Sequence, residues 1–199
     1  MILPRDFYSC SAVTCAPRLI GCRLVRVLDG LRLAGIITET EAYQGEEDQA
    51  CHARSGRTAR TEPMYGQPGH AYVYFTYGMH WLLNAVADAP GTPAAVLIRA
   101  IFPVEGIQGM AELRPMLAGQ TNWLNGPAKL AQALGIDGNL NRADLCSAQS
   151  GLYIEEAIRV PQGALRTDAR VGISKVPEPW RSMPWRWQLD PDYLRRALA

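Results

Sequence analysis

The stretch AYVYFTYGMHWLLNAVA (residues 71–87) decides the architecture. Its two halves, AYVYFT and HWLLNAVA, are strand-like runs on either side of Tyr77-Gly78. Two such runs around a glycine read as a β-hairpin with its tip at those two residues. Alternation along a strand puts Tyr72 and Tyr74 on one face. Tyr77, at a tip beside glycine, has no core to enter. It is either casually exposed or a probe that inserts into something.

Further strands flank the hairpin in sequence. RLAGIITETEAY (32–43) mixes β-branched residues with a polar set, and its odd positions place Glu39, Glu41 and Tyr43 on one face. AAVLIRAIF (94–102) is a near-continuous apolar strand interrupted by Arg99. Short strand candidates follow at GLYIEE (151–156), ARVGIS (169–174) and PWRWQL (184–189). NGPAKLAQALG (125–135) reads as a helix, with Asn125 as N-cap, Pro127 in the first turn, Leu130 and Leu134 on one stripe, and Gly135 as the stop. DPDYLRRALA (190–199) repeats the start signal at Asp190-Pro191. Hairpins outnumber βαβ units, so the expectation is an α/β (α+β) single domain over 1–199: a curved, mostly antiparallel sheet with surrounding helices and a protruding hairpin.

Composition narrows the function classes. A chain of 199 residues with 48% hydrophobic and 20% charged residues has the make-up of a folded domain rather than a disordered or fibrous chain. The net charge of +1 argues against a strongly basic chromatin-type binder and leaves room for a local basic face. No apolar run approaches the roughly 20 residues of a membrane span, and MILPRDFYSC lacks a signal peptide's apolar core. The expected location is the cytosol: cytoplasm or nucleoid in a bacterium, nucleus in a eukaryote. The five cysteines are odd in number and form no CxxC pair, which reads as reduced thiols and no metal. Neither G-x-G-x-x-G nor G-K-[ST] occurs, so no dinucleotide or triphosphate site is expected, nor any other cofactor.

The polar residues that sit badly carry the chemistry. Arg99 in an apolar strand needs a carboxylate or a wet cavity, since an unpaired buried charge costs several kcal/mol. Glu41 is the partner type at hand. A Glu held near an Arg stays ionised and can act as a general base on water; the pair is equally readable as a structural ion pair. Tyr43 shares Glu41's face. Tyr43, His52 and Tyr74 around one cavity would make an aromatic slot suited to a flat, electron-poor or cationic ring, or else Tyr43 and Tyr74 are sheet packing and His52 a satisfied loop histidine. Residues 44–70 form a long polar, turn-rich connection whose Arg54, Arg57 and Arg60 are either solvated or hold phosphates. Together these features describe a base-flipping enzyme.

The blocks ETEAYQGEEDQACHARSGRT, MYGQPGHAYVYFTYGMHWLLN, AAVLIRAIFP, NGPAKLAQALGI and ARVGIS strongly resemble the alkyladenine (3-methyladenine, methylpurine) DNA glycosylase family of the mammalian type, in family order over most of the chain. The resemblance implies that Glu41 activates the attacking water, that Arg99 helps hold it, and that the carbonyl of Val171 is its third contact. It implies that Tyr43, His52 and Tyr74 stack on and edge the flipped base, while Asn84 crowds the 2-amino group of guanine. Tyr77, followed by Gly78 and Met79, is implied to intercalate from the minor groove, which leaves Tyr72 to sheet packing; Arg54 and Arg57 of the basic run are the expected DNA contacts. Cys51 stands beside His52 where small alanines are usual, which bears on substrate range.

The reaction so implied is hydrolysis of the N-glycosidic bond of 3-methyladenine, 7-methylguanine, hypoxanthine or ethenoadenine in duplex DNA, starting base excision repair. Lys129 and Lys175 lie outside the pocket motifs, so a monofunctional enzyme without a Schiff base is expected, acting as a monomer. Two other classes stand beside this one: a non-catalytic damage-binding module, and a small-molecule purine nucleoside hydrolase for which Tyr77 and the arginines would be pointless.

Overall fold

The computed structural model describes residues 1–115 and 123–199, and among these eight strands form one antiparallel sheet. The strands are β1 (Arg23–Leu28), β2 (Leu31–Gln44), β3 (Ala71–Thr76), β4 (His80–Val86), β5 (Ala94–Glu105), β6 (Leu152–Glu155), β7 (Leu165–Asp168) and β8 (Arg186–Leu189). They run in the order β3-β4-β5-β2-β1-β6, with β8 paired to β2 and β7 to β8. The helices are α1 (Arg5–Tyr8), α2 (Ala12–Leu19), α3 (Ile107–Leu113), α4 (Pro127–Ala133) and α5 (Pro191–Leu198). The mixed α/β fold expected from the sequence is the one observed.

Strand β2 organises the molecule. Its first half pairs with β1 through the tight Asp29-Gly30 turn, both residues at positive φ, as a two-residue hairpin requires. Its second half pairs with β8 on that same edge, and β5 runs along the other edge. Register shifts on either side of Glu39 mark a β-bulge just ahead of Glu41, and bulges commonly re-aim side chains.

The two faces of the sheet have different fates because successive side chains alternate. Ala42, Val73, Leu83, Val96 and Ile98 point into the main core. There α2 presents Ala12, Cys15, Ala16 and Leu19 at helical spacing, started by a Ser11 cap that accepts from the Thr14 N–H. The Thr40 hydroxyl donates to the Ala16 carbonyl at 2.9 Å and fixes β2 against that helix. The opposite face carries a smaller cluster, Cys51, Ala53, Met64, Tyr65, Tyr72, Val86 and Ala95, with Tyr43 and Tyr74 packed on it. The site lies over this second face.

Two expected elements differ. Gly126, not Asn125, occupies the N-cap of α4; Asn125 instead bridges to Ala100 in β5 and accepts from Lys129 Nζ at 2.7 Å. ARVGIS forms no strand but a turn-rich segment, whose Arg170 turns inward to bond the Ala42 carbonyl of β2 and the Asp48 carboxylate. Asp190 caps α5 as expected, accepting from the N–H groups of Asp192 and Tyr193.

Candidate active site

Glu41 is fully buried in the middle of β2, and every polar neighbour it has is a donor or a charge. Its Oε1 accepts the Val171 N–H at 2.6 Å and lies 3.4 Å from Arg99 Nη1; its Oε2 accepts the Tyr43 hydroxyl at 2.8 Å. Burial pushes its pKa above the ordinary carboxylate range, and the Arg99 charge, the Val171 N–H and the Tyr43 hydroxyl pull the other way without cancelling it. A carboxylate so held can still ionise, and it takes up a proton more readily than a solvated one. Val171 gives its N–H to Glu41, a contact of its own beside the carbonyl-to-water contact that the resemblance implied.

Arg99 does not belong to Glu41 alone. Its Nε donates to Glu39 at 3.0 Å, and Glu39 also accepts from Arg186 Nη1 at 3.1 Å, while Arg186 Nη2 reaches Asp168 at 2.7 Å. Charges alternate along this line from Glu41 to Asp168.

A cleft of about 1060 Å³ opens over this face. Tyr43, His52, Tyr74, Asn84, Arg99 and Val171 all line it, so the structure brings together the residues that sequence reasoning grouped. His52 meets the Tyr74 ring edge-on at a centroid distance of 4.5 Å, and its Nδ1 lies 2.9 Å from the Tyr72 hydroxyl. Burial, helped by the charges of Arg60 and Arg54, lowers the His52 pKa to about 4, so the ring is neutral at physiological pH. Tyr72 is therefore more than sheet packing: its ring lies 5.3 Å from that of Tyr74, and its hydroxyl orients His52. The Asn84 amide, on the paired strand, donates to the Tyr72 carbonyl at 3.0 Å.

At the mouth, Tyr77 is 83% exposed and held at φ 52, next to Gly78 at φ 66, with Met79 also exposed on the same tip. Strain-prone backbone and a free aromatic ring coincide there. Arg54 and Arg60 line the cleft, Arg60 with its guanidinium 5.2 Å from the Tyr74 ring centre. Arg57 does not line it; both its Nε and Nη2 are taken by Glu62, at 2.6 and 2.8 Å. Cys51 lines the wall with its thiol buried, pushed up to about 12 by that burial, and therefore protonated. Lys175, expected outside the pocket, lines the cleft on the segment after Val171. Among the described residues no group of three or more His, Cys, Asp or Glu side chains is placed to hold a metal ion.

Two residues of the site had no signal of their own in the sequence. Arg170 and Asp48 form a fully buried pair, Nη1–Oδ2 2.5 Å and Nη2–Oδ1 2.9 Å, directly behind Tyr43 and Glu41. An isolated Asp in an acidic run and an isolated Arg in a turn look alike in sequence whether solvated or buried.

The chain matches the family model described as methylpurine-DNA glycosylase over residues 6–192. It is 47% identical over 184 residues to a protein of Methanocella arvoryzae, an alignment that covers 90% of each chain. It is 45% identical over 189 residues to one of Carboxydothermus hydrogenoformans, covering 95% of each. A protein of Chlorobaculum parvum is 44% identical over 185 residues, covering 92% of this chain and 85% of that one. All three relatives carry provisional names as 3-methyladenine DNA glycosylases.

Proposed function

The chain belongs to the methylpurine-DNA glycosylase family, hydrolases of damaged DNA, and we propose that within it this protein is a monofunctional enzyme that flips alkylated or deaminated purines from duplex DNA. The single observation that carries the reading is Glu41, buried behind an aromatic cleft with three groups aimed at its carboxylate. As a base, Glu41 takes a proton from a water held beside Arg99, and the resulting hydroxide bonds to C1′ of the flipped nucleotide. The C1′–N bond breaks with its electron pair on the purine, and an abasic sugar remains.

The wall chemistry supports the substrate class. A purine alkylated at N3 or N7 is cationic, is drawn to the faces of Tyr43 and Tyr74, and leaves C1′ as a neutral base. Hypoxanthine and ethenoadenine are neutral and lean instead on the polar edge supplied by neutral His52. Asn84, fixed to the Tyr72 carbonyl, closes the slot against a 2-amino group. Tyr77 fills the gap left in the stack from the minor groove, and Arg54 and Arg60 meet phosphates around it.

Lys175 favours one second reading. An amine in the cleft can condense with the C1′ aldehyde of the abasic product and add strand cleavage. The test is a panel of duplexes, each with one lesion, incubated with the protein and developed with and without alkali, and a parallel borohydride reaction. Breaks that need alkali, with no trapped covalent adduct, support the monofunctional reading. Alkali-independent breaks, with an adduct lost in Lys175→Ala, replace it with the lyase. Binding of the lesion without any base release replaces both with a damage-binding module.

A further inference from the structure

The buried Arg170–Asp48 pair stands apart from the residues given roles above. Its guanidinium uses all of its Nη donors: Nη1 reaches the Ala42 carbonyl at 2.9 Å and Asp48 at 2.5 Å, and Nη2 reaches Asp48 at 2.9 Å and the Trp180 carbonyl at 3.1 Å. The plane lies between two rings, 4.9 Å from the Tyr43 centroid and 5.0 Å from that of Trp185. Asp48 in turn accepts the N–H groups of Gln44 and Ala50 at 3.2 and 3.0 Å, shaping the turn that delivers Cys51 and His52 to the cleft. Both side chains are wholly buried, and Arg170 Nε has no partner among the described residues.

Stability alone does not account for such a pair. Taking two charges out of water costs several kcal/mol per ion, and apolar replacements of similar volume are often as stable or more so. What the pair supplies is geometry. Ala42 lies between Glu41 and Tyr43, and Val171, which follows Arg170, gives its N–H to Glu41. One planar fork thus ties together the strand that carries the carboxylate, the segment that carries its N–H donor and the turn that carries His52.

We infer that Arg170 and Asp48 are positioning residues for the reaction, holding the Val171 N–H and the Tyr43 ring in register with Glu41. The inference rests on the glycosylase reading for its kinetic consequence and not for its structural one. Without the fork, the Val171 donor drifts from Glu41 and the carboxylate loses one of the groups that favour its ionised form. Tyr43 loses the guanidinium that packs on its ring, while the remaining groups around Glu41 are untouched: Arg99, Glu39 with its partner Arg186, and Tyr74.

The experiment compares the native protein with Asp48→Asn and Arg170→Lys, each checked by near-ultraviolet circular dichroism. Two readouts are taken: the ¹³C titration of the Glu41 carboxyl, which needs no activity, and the single-turnover rate against pH on a duplex carrying one hypoxanthine. In a folded variant the Glu41 titration and the acid limb of the rate both move to higher pH, and the rate falls about 10- to 100-fold. Affinity for the duplex falls less than the rate, because Tyr77 and Arg60 lie outside the segments that the fork ties together. A folded variant whose Glu41 titrates as in the native protein overturns the inference; so does failure of both variants to fold, which would make the pair a stability element. A native protein inactive on every lesion overturns the glycosylase reading instead, and the carboxyl titration then still decides the inference.

Discussion

Arg99 Nη1 stands 3.4 Å from Glu41 Oε1, an ion-pair distance rather than a short hydrogen bond, because the Arg99 Nε is committed to Glu39 at 3.0 Å. Glu39 also adds negative potential that raises the Glu41 pKa. Glu39→Gln removes that potential and frees Arg99 to close on Glu41. The Glu41 pKa falls, so the acid limb of the pH–rate profile moves to lower pH. The plateau rate drops about tenfold, as expected when a general base is weakened. A limb that moves to higher pH would show that Glu39 does not restrain Arg99.

Burial of Glu41 carries a stability cost with a definite sign. Its folded pKa lies above the unfolded one, so its contribution is most favourable below the ordinary glutamate range, about 4.3, and is lost as pH rises through the folded value. Glu41→Gln is therefore at least as stable as the native protein at pH 8, and the difference shrinks below pH ~4. Thermal unfolding at both pH values measures it. A variant much less stable at pH 8 would contradict the burial account.

His52 behaves in the opposite direction. Its folded pKa of about 4 lies below the unfolded value, so protonation favours the unfolded chain. Stability linked to His52 is complete above about pH 6.5 and is lost as pH falls toward 4. His52→Gln removes this dependence, and denaturant midpoints measured from pH 7 to pH 4 fall less steeply than in the native protein. Equal slopes would mean that His52 titrates normally.

Tyr77 separates fold from function at one position. Because it is exposed and sits at positive φ, Tyr77→Gly leaves the melting temperature unchanged or raises it. If the ring replaces the flipped nucleotide in the stack, duplex activity falls tenfold or more, in line with roughly 1–3 kcal/mol per base–aromatic stack. Activity on a free purine nucleoside changes little. Equal losses on both substrates would remove the wedge assignment.

Much of this site is legible in local sequence because it lies on strands. Period-two alternation places Glu39, Glu41 and Tyr43 together and sets Tyr72 beside Tyr74; the pairings with β8 and β4 follow it, and the irregularity around Glu39 falls on the β5 edge. Val171 and Lys175 come from a turn-rich segment, where the apparent alternation of ARVGIS does not correspond to a strand. Asp29-Gly30 carries a hairpin signal in the sequence itself, whereas the Arg170–Asp48 pair joins residues 122 positions apart and has no local signature. Arg57, which lies outside the cleft, shows a related limit of local sequence. Glu62, five residues on, captures it, and spacing cannot tell that partner from a phosphate.

The most direct test of the account is the single-turnover rate of Glu41→Gln against native protein, on a duplex carrying one hypoxanthine or alkylated purine, developed with alkali. The account predicts about 10²- to 10⁴-fold loss of base release, with affinity for the lesion duplex retained. Base release by the variant at the native rate would contradict it, and would leave Glu41 as no more than the ion-pair partner of Arg99.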